Sequence, residues 1–136
     1  MELVHNNKIE TDVLTAFYGL VEASKSLDSN RYFEYYDTEK FTGLNADGTV
    51  WHSFKDLETL IDTGFSLTEK VIALEFKKVK VTVISPDTAI LVNEYTQSTL
   101  LKNGDVVKGA GGGVQVWFKS GLAWKLVSVS ASEVSY

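Results

Sequence analysis

Residues 71–84, 88–101, 106–119 and 123–132 read as four long strands, separated only by short turn sequences. Ser85-Pro86-Asp87, Asn103-Gly104 and Ser120-Gly121-Leu122 are too short to hold the crossover that parallel pairing needs, so the four must run as an antiparallel meander. Nearly half of the chain is thereby committed to one sheet, and the remainder has to cover it.

The first half supplies that cover as helices. Ile9, Val13, Ala16, Phe17, Leu20 and Val21 recur at helical spacing, an apolar stripe with Glu10, Asp12 and Glu22 off it. Asp28 or Ser26 can cap a second, shorter helix in which Tyr32, Phe33 and Tyr36 share a side, an aromatic density that predicts packing under a sheet. Asn45-Ala46-Asp47-Gly48 has turn chemistry between short β-like stretches at 41–44 and 49–51. Ser53 with Asp56 resembles a capping box ahead of a third helix carrying Phe54, Leu57, Leu60 and Ile61, and Gly64 is placed to end it. Helices first and a meander after predict an α+β fold, with helices on one face of a curved sheet.

Turn length fixes register, because directly opposed residues of an antiparallel pair share a face. With Asn103-Gly104 as a two-residue turn, Leu91 opposes Val116, Asn93 opposes Val114 and Tyr95 opposes Gly112. With 120–122 as a three-residue loop, Val116 opposes Leu126, Val114 opposes Ser128 and Gly112 opposes Ser130. One face then runs from a dry end, with Ala89, Leu91, Phe118, Trp124 and Leu126, to a polar end. A buried amide without partners costs about 1–3 kcal/mol, so Asn93 is expected to meet water, ligand or a neighbour. Gly111, Gly112 and Gly113 leave room across from it. The expectation is a ligand cavity lined by Asn93, Tyr95, Ser128 and Ser130, with Tyr36 and Trp51 reaching it from the helical layer. The opposite face carries Ile90, Val92, Trp117, Val127 and Val129, apolar enough to predict a homodimer with Trp117 at its centre.

Composition narrows the partners. The 136 residues, 44% of them hydrophobic, suffice for a single domain over 1–136 with an ordered core near 7–132. Cysteine is absent, which removes thiolate nucleophiles and disulfides and favours a cytoplasmic location. No apolar run approaches the roughly 20 residues of a membrane span, and the first residues lack the apolar stretch of a signal peptide, so no membrane partner is expected. Lys77, Lys78 and Lys80 form the densest basic group, but a chain of net charge −5 would repel a phosphate backbone, which argues against nucleic acid.

No motif for catalysis or cofactor binding stands out. Gly109-Ala110-Gly111-Gly112-Gly113 lacks the Lys-Ser/Thr pair and the helix start of a phosphate loop. His5 and His52 are the only histidines, so neither a metal nor a cofactor is expected. Proton transfer would have to use His52 or a carboxylate near the first hairpin, Asp37, Glu39 or Asp47, with its pKa raised.

The order of elements, closing on Trp124-Lys125-Leu126-Val127, resembles the nuclear transport factor 2-like superfamily, in particular its small SnoaL-like members, over about residues 7–132. The resemblance implies a cone-shaped sheet wrapped around a long N-terminal helix, with two shorter helices and a cavity on the concave side. That superfamily includes ketosteroid isomerase-like and polyketide cyclase-like enzymes, dehydratases and binding domains, so fold alone selects no function. Ser128 and Ser130 stand where SnoaL-like members often place histidines, and Gly43-Leu44-Asn45 stands where the isomerase pattern has an aspartate base. A polar position of the family falls about Gly112. The expected function is therefore non-catalytic binding of a small, largely apolar molecule. The alternatives are an isomerase, cyclase or dehydratase with His52 or Asp37 as proton carrier, and a structural dimerisation module.

Overall fold

The computed structural model describes residues 2–134, and the side chains of residues 2–5, His5 among them, lie outside the described residues. Helix α1 (Glu2–Lys25) buries Ile9, Val13, Phe17, Leu20 and Val21 along its expected stripe, with Ala23 added at its end. Helix α2 (Ser29–Phe33) is capped by Asp28, whose Oδ1 accepts the Arg31 amide at 3.1 Å. Ser26 instead donates back to the Glu22 carbonyl at 2.8 Å. Strands β1 (Thr42–Leu44) and β2 (Val50–Trp51) flank a turn closed by the Asn45 amide on the Thr49 carbonyl at 2.9 Å.

Helix α3 (Phe54–Leu67) departs from its sequence signals at both ends. The Ser53 side chain makes no cap bond, and the Asp56 carboxylate accepts the His52 amide at 3.0 Å, so only half of a capping box forms. Gly64 lies inside the helix, which runs on to Leu67; the Thr68 hydroxyl then donates to the Gly64 carbonyl at 2.8 Å as β3 (Thr68–Ser85) begins without a loop. The meander continues through β4 (Thr88–Leu101), β5 (Val106–Ser120) and β6 (Ala123–Glu133). The six strands form one sheet in the order β2-β1-β6-β5-β4-β3, antiparallel except where β1 runs parallel to β6. Helix α1 lies against one face, and Phe17, Leu57, Leu91, Trp117 and Leu126 close the core between helices and sheet. This is the α+β cone: a long N-terminal helix, a curved open sheet and two shorter helices. No described helix is long and apolar enough to cross a membrane.

The hairpins set a different register from the one expected. Leu101 and Asp105 flank a three-residue loop in which the Leu101 amide donates to the Asp105 carbonyl at 2.8 Å, and Gly104 takes φ +95°. Gly104 thus supplies the left-handed residue of a G1-type bulge rather than half of a two-residue turn. One extra residue reverses the parity of β5: Ala89 opposes Trp117, Leu91 opposes Gln115, Asn93 opposes Gly113 and Tyr95 opposes Gly111. The β5–β6 loop is shorter than expected, with Ser120 opposite Ala123, and Val127 is an unpaired bulge residue between the Trp117–Leu126 and Val116–Ser128 pairs.

Two corrections follow. Trp117 is fully buried and Val129 packs toward the core, so neither belongs to an outer association surface. Ser128 and Ser130 oppose Val116 and Val114, on the face away from Asn93. The outer face is instead crossed by a registered row, Val50, Leu44, Ser130, Val114, Val92 and Lys80, one residue from each strand.

Because the Trp117 indole fills the centre of the core, Trp117→Ala is expected to lower unfolding free energy by about 3–5 kcal/mol, the range for truncating a buried aromatic. Urea denaturation followed by circular dichroism measures this; a loss under about 1 kcal/mol, the behaviour of a surface position, would contradict the register.

Candidate functional site

The concave face opens into a cavity of about 480 Å³ between the sheet, the C-terminal end of α1 and the β1–β2 turn. Its floor is built by strand alternation. Asn93 lies opposite Gly113, which lies opposite Ala131; the next row toward the edge is Phe76, Tyr95, Gly111 and Glu133. Gly109, Gly111 and Gly113 fall two residues apart and so share this face, and Gly113 lines the cavity while Gln97 and Glu133 close over Gly109. Gly111 has a second reason to be glycine, since a Cβ there would stand 1.9 Å from the Ser132 carbonyl oxygen. The Tyr95 ring leans over Gly111 and its hydroxyl faces the Ser132 carbonyl at 3.5 Å.

Two carboxamides line this cavity at 9% exposure each, Asn93 and Gln115. The Trp117 Nε1–H donates to Gln115 Oε1 at 2.9 Å. An indole N–H can only donate, so the carbonyl end of Gln115 must face it and the NH₂ end is turned toward the cavity. Among the described residues neither that NH₂ nor the Asn93 amide has a protein hydrogen-bond partner. No fully buried side-chain N or O among the described residues is left unpaired, so these amide groups reach the cavity surface, where water or a ligand can pair with them. Leu74, Phe76, Val129 and Ala131 make the apolar part of the wall, and Asn45, Asp47, Ser24, Gln97 and Glu133 complete the polar part.

Of the residues singled out in the sequence, the structure brings Asn93 and Tyr95 together here. Ser128 and Ser130 lie on the other face, while Tyr36 and Trp51 are buried in the hydrophobic core and do not line this cavity. Of the proton carriers considered above, Asp47 lines the cavity, whereas His52, Asp37 and Glu39 do not. His52 is exposed ahead of α3, and Asp37 Oδ1 is occupied by the Glu39 and Lys40 amides, both at 3.0 Å. Gln97, Gln115 and Glu133 were not singled out, although a glycine at every second residue from 109 to 113 marks the face they share.

Two groups at the cavity, Asp47 and Tyr95, are shifted from their ordinary values in opposite directions. The Thr49 hydroxyl and then its amide hold the Asp47 carboxyl below its ordinary value, and the Thr49 amide donates to Asp47 Oδ1 at 2.9 Å. Burial, and then the charge of Glu133, push the Tyr95 hydroxyl up. Among the described residues no three His, Cys, Asp or Glu converge as a metal site would need.

Residues 13–136 match the family model described as the SnoaL-like domain. No curated protein matches the sequence. Similar solved structures include a nuclear transport factor 2-like superfamily protein from Salmonella enterica, with a TM-score of 0.85 at 13% identity over 96% of this chain and 94% of that one. A ketosteroid isomerase-like protein from Erwinia carotovora gives 0.80 at 17% identity over 96% and 99%. The association domain of the calcium/calmodulin-dependent kinase II of C. elegans gives 0.71 at 20% identity over 90% and 93%. At these identities the likeness is one of fold.

Beneath the β1 strand, away from the cavity, the Tyr36 hydroxyl donates to that of Tyr32 at 2.7 Å, and Phe41 and Phe54 pack around Tyr36. Burial first, and then Tyr32, push the Tyr36 hydroxyl well above its ordinary value of 10.0. The folded state therefore retains a proton that the unfolded chain releases, so this contribution is complete below pH 10 and is lost as pH rises above it. Urea midpoints are expected to fall steadily above pH 10, and Tyr36→Phe to flatten that fall, leaving the smaller parts due to Tyr32 and Tyr95. An unchanged alkaline slope in the variant would place Tyr36 in contact with solvent.

Proposed function

The chain belongs to the SnoaL-like domain family of the nuclear transport factor 2-like superfamily, and from that premise we propose that it binds a small molecule in the concave cavity without proton-transfer catalysis. The observation that carries this reading is the pair Asn93 and Gln115, nearly buried carboxamides with open hydrogen-bonding capacity beside an apolar wall. Such a site orients a ligand through a few fixed polar groups and holds it by burial.

A general acid or base works best with a pKa near the operating pH. Asp47 is shifted down and Tyr95 up, His52 and Asp37 lie elsewhere, the wall contains no histidine, and its other carboxylate, Glu133, is exposed at the edge of the floor. These features favour binding over the isomerase, cyclase or dehydratase reading. The test is to fill the cavity from its floor. A Cβ on Gly113 would meet nothing closer than 3.5 Å, so Gly113→Leu projects into the space without a backbone collision. Native mass spectrometry and fragment binding by NMR are expected to show a ligand or fragment in wild type and at least a tenfold loss in Gly113→Leu. Equal binding in both proteins would remove the cavity from consideration.

A second reading concerns assembly. Ile90, Val92, Val114 and Val116 lie together on the outer face, with Val92 and Val114 at 39% and 43% exposure, and the fold is shared with an association domain. We propose a homodimer on these four residues, an apolar patch closed by a two-fold contact. Sedimentation at tens of micromolar is expected to give a dimer for wild type and a monomer, with unchanged circular dichroism, for Val92→Glu/Val114→Glu. A wild-type monomer, or a dimer indifferent to the charges, would make this face ordinary surface.

A further inference from the structure

The cavity wall has a charge signature beyond its capacity to bind. Asp47 and Glu133 both line it, and no lysine, arginine or histidine does. The two carboxylates belong to separate elements: Asp47 sits in the β1–β2 turn, and Glu133 ends β6 opposite Gly111. Glu133 Oε1 and Gln97 Nε2 each lie 3.4 Å from the position a Cβ on Gly109 would take, so they converge at the edge of the floor. The lysine of β3 nearest in sequence to Phe76 and engaged in an ion pair, Lys78, is held by Glu94 at 3.1 Å and is not among the lining residues. Ser24 brings the last turn of α1 to the same wall, where Lys25 of that turn offsets the negative end of the helix dipole and is not itself among the lining residues.

Acidic side chains at the mouth of a cleft would not by themselves make a site. Here they border a floor in which Asn93 and Gln115, each 9% exposed, direct unpartnered amide groups into the space. Phe76 and Tyr95, with ring centroids 6.3 Å apart, add aromatic surface of the kind that attracts organic cations. A carboxylate or phosphate ligand would find donors in the amides but no countercharge, and two carboxylates opposing its entry. An ammonium ligand would find acceptors in the Asp47 and Glu133 carboxylates and the Asn93 carbonyl, with π-surface beside them, while the Gln115 NH₂ would face the remainder of the ligand.

Building on the binding function above, we propose that the cavity selects by charge, accepting small organic cations with an apolar body, tolerating neutral amides, and excluding carboxylates. Benzylamine, benzamide and benzoate test this as probes of nearly equal shape, carrying charges of about +1, 0 and −1 at pH 7. Titrated into ¹⁵N-labelled protein at low salt, benzylamine is expected to bind about threefold more tightly than benzoate, with benzamide between, the modest margin that two exposed carboxylates in water allow. The side-chain NH₂ signals of Asn93 and Gln115 should shift with the first two. Asp47→Asn/Glu133→Gln is expected to erase the advantage of benzylamine over benzoate. Benzoate binding as tightly as benzylamine, or a ranking unchanged in the double variant, overturns the proposal. Benzamide shifts without any charge ranking overturn selection and leave the binding function standing; no cavity shift with any probe overturns both.

Discussion

The left-handed backbone of Gly104 decides which side chains of β5 reach the core. With φ at +95° it closes a three-residue loop after Leu101, and strand alternation carries that choice along the whole of β5. Trp117, Gln115, Gly113 and Gly111 are therefore turned inward together. At one end the Trp117 indole fills the space beneath α1; in the middle its N–H fixes Gln115; at the far end glycines leave a hollow. Core, polar anchor and cavity are three consecutive positions on one face, and each depends on the same turn. A loop one residue shorter would bury Val116 and Val114, expose the indole and bring Gly112 to the floor.

What the sequence made legible was whatever is periodic over many residues. The stripe from Ile9 to Val21 and the four long strands were readable because each rests on repeated evidence, and errors at single positions do not shift a period. The register was not readable, since it rests on one residue in each turn. Asn103-Gly104 is the dipeptide of a two-residue type I′ turn, but Lys102-Asn103-Gly104 also suits a type I turn closed by a left-handed glycine, and only the latter lets Trp117 into the core. Tertiary burial of an indole outweighs the small difference between turn types. Gly64 misled for a related reason: a glycine within a helix costs about 1 kcal/mol, which packing of Phe54, Leu57 and Ile61 readily offsets. The bulge at Val127 left no signal in composition.

The candidate site was half legible. Asn93 and Tyr95 were recognisable as polar groups on an apolar strand, whereas Ser128 and Ser130 were drawn in only by the reversed parity of β5. Gln115 looked like an outward residue for the same reason, and its role depends on a neighbour two positions along the same strand. The glycines at 109, 111 and 113 carried information that their resemblance to a loop motif concealed. Glycines two apart in a strand are a hollow on one face, whatever loop they superficially resemble.

The concave and convex faces also divide the chemistry of the sheet. Strand alternation sends Asn93, Gln115 and Tyr95 inward and Ile90, Val92, Val114 and Val116 outward, so the polar anchors lie on the shielded side and the apolar patch on the open one. In a monomer this is an inverted arrangement, because open apolar surface is normally minimised while buried amides normally find protein partners. The two binding events proposed above would each relieve one half of it: a ligand in the cavity would pair the amides, and a second subunit would cover the patch. Since Asn93 alternates directly with Val92, and Val114 with Gly113, the two events act on adjacent residues of the same strands.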